Sequence, residues 1–245
     1  MGAGMSLFRN SRLGGQTDWQ SRFKEKAESV TDERLHDFYQ AGIVSGDTPL
    51  SKVPFVALDF ETTGLDAEKD DIVSIGLVPF NLNRIYCNQA RHWIVRPNTP
   101  LQEESVVIHG ITHNDILDAP DLRRVLDEVL DALAGKVVVV HYRKIEREFL
   151  DTALKDRIEE GIVFPVMDTM EIESYVQDMN TKGIFNRLKG NKRQPVRLGS
   201  SRERYGLPVY PPHHALTDAM ATAELLQAQI QHHFSPDTPI ERVWL

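Results

Sequence analysis

The stretch Phe55-Val56-Ala57-Leu58-Asp59-Phe60-Glu61-Thr62-Thr63-Gly64 decides how the rest of this 245-residue chain is read. An apolar, strand-forming run carries two acids, Asp59 and Glu61, two positions apart. Residues i and i+2 of a strand point to one face, so the two carboxylates stand side by side. Like charges held that close require a cation between them or a proton on one of them. Oxygen-only ligands suit Mg²⁺ or Mn²⁺ better than zinc. The bland alternative is a strand end with two solvated acids.

Working outward, composition sets the bounds. Apolar residues make up 41% and charged residues 26%, the balance of an ordinary soluble globular chain. The single cysteine, Cys87, leaves no disulfide framework and no thiolate zinc cluster, and favours a reducing, cytoplasmic setting. The net charge of −8 argues against a protein that coats nucleic acid generally. Residues 182–204 differ: eight Lys or Arg face one acid, Glu203, a local +7 on an acidic body. Such a segment can engage a polyanion while the acids bind metal elsewhere.

Residues 1–16 read as a disordered leader, and 17–50 as a small helical extension. In the extension, Trp19, Phe23, Ala27 and Val30 recur at helical spacing, and Thr31 is the expected cap of a second helix carrying Leu35 and Phe38. Ser45 to Lys52 reads as a linker. Three strands follow, near 55–60, 72–78 and 85–95. Then come an amphipathic helix over Leu122–Leu133, a buried strand at Val137–Val140, and helices over about 144–157, 168–177 and 215–231. A short strand is expected at 163–167, and the apolar end of the 235–245 tail predicts docking. This order implies an α/β domain over 51–234 with a mixed sheet flanked by helices.

Three further segments can join the acid pair. His141 to Phe149 lies just past the carboxyl end of the Val137–Val140 strand, where open α/β sheets bind ligands. It contains Glu146 and, as a rival, Glu148. His213-His214-Ala215-Leu216-Thr217-Asp218 puts imidazole and carboxylate at one helix mouth. Ile108-His109-Gly110-Ile111-Thr112 is a loop able to offer backbone N–H groups.

In order and interval, these motifs resemble the DEDDh branch of the DnaQ-like 3′→5′ exonucleases, over about residues 53–230. Asp59-Phe60-Glu61-Thr62-Thr63-Gly64 matches the first motif, His141 through Glu146 with Phe149 the second, and His213 to Ala219 the third. Ile108 to Thr112 and Tyr205-Gly206-Leu207-Pro208 also look like the family's. The second motif departs from the pattern: Glu146 stands where the family has Asp, and Tyr142 where it has Asn.

The resemblance implies an RNase H-like fold and two divalent cations, Mg²⁺ or Mn²⁺. Asp59, Glu61 and Asp218 would hold one ion, and Asp59 and Glu146 the other. His213 is the expected base, with His214 and His141 as competitors. Thr62, Thr63, Leu65 and His109 are the expected contacts to the terminal nucleotide. Lys189, Lys192 and Arg193 are expected to meet phosphates of single-stranded DNA or RNA. The products would be nucleoside 5′-monophosphates. A monomer or homodimer is expected, without a membrane and without a required polymerase. The rivals are a catalytically weak nucleic-acid-binding module and a polymerase-associated proofreading subunit.

Overall fold

The computed structural model describes residues 13–15, 17–99, 111, 113–181 and 193–245. The quoted stretch becomes β1 (Phe55–Thr62), central in a six-stranded mixed sheet. β2 (Ile72–Asn81) runs antiparallel to it and carries β3 (Arg84–Ile85) and β4 (Arg91–Ile94) on its other edge. On the opposite side, β5 (Val137–Val140) and β6 (Val166–Asp168) are parallel to β1, giving the order β3-β2-β1-β5-β6. Both faces of β1 are buried, as expected of a strand covered by helices on both sides. The parallel strands β1, β5 and β6 bring their carboxyl ends to one edge.

Eight α-helices are described: α1 (Trp19–Ser29), α2 (Glu33–Gln40), α3 (His113–Leu117), α4 (Leu122–Leu133), α5 (Lys144–Ile158), α6 (Thr169–Thr181), α7 (Leu198–Arg204) and α8 (Ala215–His233). α8 lies across β1, β2 and β5. None of these helices is long and apolar enough to cross a membrane.

The N-terminal helices pack into the main core, as the apolar spacing implied. Phe23, Phe38 and Tyr39 form an edge-on aromatic cluster, and the Tyr39 hydroxyl bonds Val163 through both its N–H and its carbonyl. Ser45–Lys52 is not a free linker. Leu50 is fully buried, and the N–H groups of Leu50 and Ser51 donate to Thr238 and Pro236 of the tail. The tail docks, with Trp244 buried and Leu245 pairing through its backbone with Val166 at the sheet edge.

Two local expectations are corrected. The cap of α2 is Asp32, not Thr31; its carboxylate accepts from Arg34 N–H, while Thr31 turns its N–H and hydroxyl to Glu160. A long-range carboxylate has taken the hydroxyl that local pattern assigned to the helix. The expected third strand over 85–95 is broken into β3 and β4 by a 3₁₀ turn at Cys87–Gln89. Pro79 of β2 accepts from Tyr86 N–H but has no N–H to return, so the ladder loses a bond there and the chain loops out.

Candidate active site

The site grows from the pairing of β1. Asp59 lies opposite Gly76 of β2, and Glu61 opposite Ser74, with a register shift immediately after Glu61. A bulge at this point re-aims the end of the strand. Cross-strand partners share a face, so both acids look toward the side on which α8 starts. Asp218 belongs to the first turn of α8, and its Oδ2 accepts from His213 N–H at 2.8 Å. Carboxylate oxygens of Asp59, Glu61 and Asp218 come within 4.8 Å of one another.

Glu146 joins from the first turn of α5 and is 2% exposed. Its Oε2 is buried and meets no hydrogen-bond donor among the described residues. Burial and then the charges of Glu146, Glu61 and Asp218 push the Asp59 carboxyl well above the carboxylate range. Burial, then the Asp168 charge, does the same to Glu146. Asp218 is raised mainly by burial, opposed by the His213 N–H. Crowded, desolvated carboxylates with an orphaned oxygen are the donor set a hard divalent cation neutralises, so the residues fit such ions. Glu148, the sequence-level rival, is half exposed and lies 3.9 Å from Lys144.

The histidines separate by environment. His141 donates Nδ1–H to Thr169 Oγ1 at 2.8 Å, and burial pushes its pKa down to about 4, so it is a neutral clamp between β5 and α6. His214 caps α8 by accepting from Thr217 N–H, and its ring lies 4.7 Å from that of His92. His213 is exposed, with φ of 69°. Tyr142, φ 87°, is the other left-handed non-glycine residue at this edge. Such backbone strain concentrates at functional sites.

The expected substrate contacts fare unevenly. Leu65 is 84% exposed at the rim. Thr62 Oγ1 donates to Gly64 C=O within the turn, and Thr63 N–H donates to Asp71 C=O. His109, Lys189 and Lys192 lie outside the described residues. Arg193 pairs with Asp178. Arg202 is 3% exposed and donates to Ala221 C=O, Pro208 C=O and Glu224, while Arg204 pairs with buried Glu173. The end of the basic segment is therefore partly a helix, α7, in which buried Arg202 holds α8 and Arg204, still exposed, pairs with α6.

Two residues escaped the sequence reading. Asp168, buried at the end of β6, accepts from the N–H groups of Tyr142, Arg143 and Met170. An acid between a strand and a helix is a capping signal that was available. His92 lies opposite Gly76 on β4, with Nε2 2.8 Å from Ser74 Oγ. Its inward face could be read only once the pairing was known.

The family model described as Exonuclease, of the RNase T type, matches residues 56–226. The chain belongs to this exonuclease family. This exonuclease is 28% identical over 181 residues to the DNA polymerase III epsilon subunit of Treponema pallidum (strain Nichols), covering 74% of this chain and 78% of that one. It is 31% identical over 181 residues to a DNA polymerase III subunit epsilon-like protein of Rhodobacter capsulatus, with 73% of this chain and 24% of that one covered. The chain spans only 12% of the length of the PolC-type DNA polymerase III of Thermotoga petrophila, to which it is 29% identical. Among solved structures, the nuclease domain of 3'hExo, a DEDDh family member bound to rAMP, superposes with a TM-score of 0.59 at 18% identity, covering 78% of this chain and 95% of that one. Exonuclease X in complex with 5′ overhanging duplex DNA gives 0.57 at 22% identity, covering 77% and 97%. This exonuclease thus has the RNase H-like fold of the DEDDh enzymes.

Proposed function

We propose that this exonuclease removes nucleotides from the 3′ end of single-stranded DNA or RNA and releases nucleoside 5′-monophosphates. The convergence of Asp59, Glu61, Asp218 and buried Glu146 at the carboxyl edge of β1 and β5 carries the reading. In this reading Asp59, Glu61 and Asp218 hold one Mg²⁺ or Mn²⁺, and Asp59 and Glu146 the other. Bound by Asp59, Glu61 and Asp218, the first ion would supply activation of the attacking water, and the second, held by Asp59 and Glu146, would supply stabilisation of the leaving 3′-oxygen. Leu65 and the loop bearing it border the terminal nucleotide. His213 takes the proton from the water; His214 and His141 are committed to a helix cap and a clamp between β5 and α6.

A 3′-end-labelled single strand incubated with Mn²⁺ is expected to yield labelled mononucleotide from the first turnover, and none with EDTA. No release from DNA or RNA with either metal, with binding intact, would leave a nucleic-acid-binding module. His213→Ala is expected to lower kcat by about 100-fold or more, the contribution of a positioned base. It should keep the metal-induced rise in melting temperature. His214→Ala is expected to lower stability by about 1 kcal/mol through loss of the α8 cap, with the smaller effect on kcat. The reverse ranking in kcat would reassign the base.

The names of the polymerase III relatives carry a second reading, a proofreading subunit. It predicts faster removal of mismatched than of matched primer termini and co-purification with a polymerase. A free-standing exonuclease shows neither.

A further inference from the structure

Tyr142 has no part in the carboxylate cluster, yet the fold invests in its position. It follows β5 by two residues, and the pairing of Val139 with Ala57 sets the end of β5 about 4.8 Å from the middle of β1, where Asp59 follows two residues on. Its φ of 87° is unfavourable for a bulky side chain and natural for the Asn of the family motif. Both amides of the turn are clamped by one buried carboxylate: Tyr142 N–H donates to Asp168 Oδ1 at 3.1 Å, and Arg143 N–H to Oδ2 at 3.0 Å. The outcome is an aromatic ring left 44% exposed. It lines a cavity of about 480 Å³ of mixed charge, with Arg143, Lys144 and Arg147 facing Glu148, Asp168 and Glu171. Four large apolar side chains are exposed among the described residues, and three of them, Leu65, Tyr142 and Val209, sit on the loops that lead from or into the acid-bearing elements.

We propose that Tyr142 is a stacking platform for the base of the penultimate nucleotide of the bound single strand. This rests on the exonuclease reading above. Glu146, four residues beyond Tyr142, would in that reading hold the ion that stabilises the leaving 3′-oxygen, and that oxygen belongs to the penultimate nucleotide. An aromatic face accepts any base, so the contact adds affinity without sequence preference.

The test uses the full chain with Ca²⁺ in place of Mg²⁺, and 5′-labelled single-stranded 12-mers of DNA and RNA. Tyr142→Asn satisfies the left-handed backbone and removes the ring. It is expected to fold at least as stably as wild type and to weaken binding by about 5- to 100-fold, the range for one stacked base. In turnover with Mg²⁺, KM should rise while kcat changes little, because the stack is made equally in the ground and transition states. Tyr142→Phe is expected to recover most of the affinity. At saturating protein, 2-aminopurine at the penultimate position should be quenched by wild type and by Tyr142→Phe, but not by Tyr142→Leu, which keeps bulk without a π face. If wild type binds and cleaves while Tyr142→Asn binds equally well, or Tyr142→Leu quenches equally well, the stacking proposal is overturned and the exonuclease reading stands. A wild-type chain that neither binds nor cleaves overturns both.

Discussion

Asp59→Asn is expected to leave a folded chain with at most about a thousandth of the wild-type turnover, and one that melts higher than wild type at pH 7 once metal is removed. The rate follows from Asp59 serving both proposed ion positions. Lewis-acid stabilisation contributes several kcal/mol, and each 1.36 kcal/mol is a factor of ten. The stability follows from linkage. Burial and three neighbouring carboxylates raise the Asp59 pKa above its unfolded value of 3.8. A carboxylate raised in the folded state binds its proton more tightly there, so ionisation opposes folding. The penalty is absent below the unfolded pKa and complete above the folded one. The melting advantage of Asp59→Asn in EDTA should therefore be large at pH 7 and close as the pH falls toward 4. Saturating Mg²⁺ or Mn²⁺ should reverse the order, since only wild type gains the binding energy, about 2.7 kcal/mol at a hundredfold excess over Kd. Melting curves at both pH values, with EDTA and with metal, contain the whole test. A variant that keeps the metal-induced rise would remove Asp59 from the ligand set.

The part of the site that the chain declares openly is the part set by local periodicity. Two acids at i and i+2 in an apolar run can do little but share a face, and β1 forms where that run predicts. Val137–Val140 and Leu122–Leu133 are equally direct, one a continuous apolar run and the other an amphipathic repeat, and both appear with the expected bounds. Glu146 over Glu148 came only from the resemblance, since each alone reads as an exposed helix acid; burial of the first and the Lys144 contact of the second appear only in the fold. What stayed hidden depends on partners distant in sequence. Thr31 was lost as a cap because Glu160, more than a hundred residues away, takes its hydroxyl. The charge of 182–204 looked available to a polyanion because nothing local shows that Arg202 reaches Glu224 and Arg204 reaches Glu173. His92 shows the same limit: a strand histidine has a face only after the strand has a register.

The register also explains why the helix bearing Asp218 can come near the acid pair at all, and it makes Gly76→Ala a severely damaging substitution, with the closest backbone clash among the described glycines. Gly76 is the β2 partner of Asp59. A Cβ at Gly76 would lie 2.1 Å from the Ala215 carbonyl carbon, 2.2 Å from Leu216 N and 2.3 Å from Ala215 O. These are backbone atoms of the first turn of α8, where Ala215 is fully buried, so no flexible side chain can yield. The helix start must move away from the sheet by about an ångström or more to restore ordinary contact. Overpacking typically costs 1–3 kcal/mol, and a backbone-to-backbone clash belongs at about 3 kcal/mol or above. The displaced segment carries His213 and Asp218, and a misplacement of about 1 Å in a catalytic group lowers the rate about 100-fold. Gly76→Ala is therefore expected to lower the melting temperature, turnover and the metal-induced thermal shift together. Gly199→Ala is the control: it lies in α7, nothing stands within 4 Å of its added methyl, and alanine there should be neutral or stabilise by about 0.5–1 kcal/mol. A Gly76→Ala chain with wild-type melting and turnover would mean that α8 does not rest on β2 at this glycine, and the placement of Asp218 beside Asp59 would fall with it.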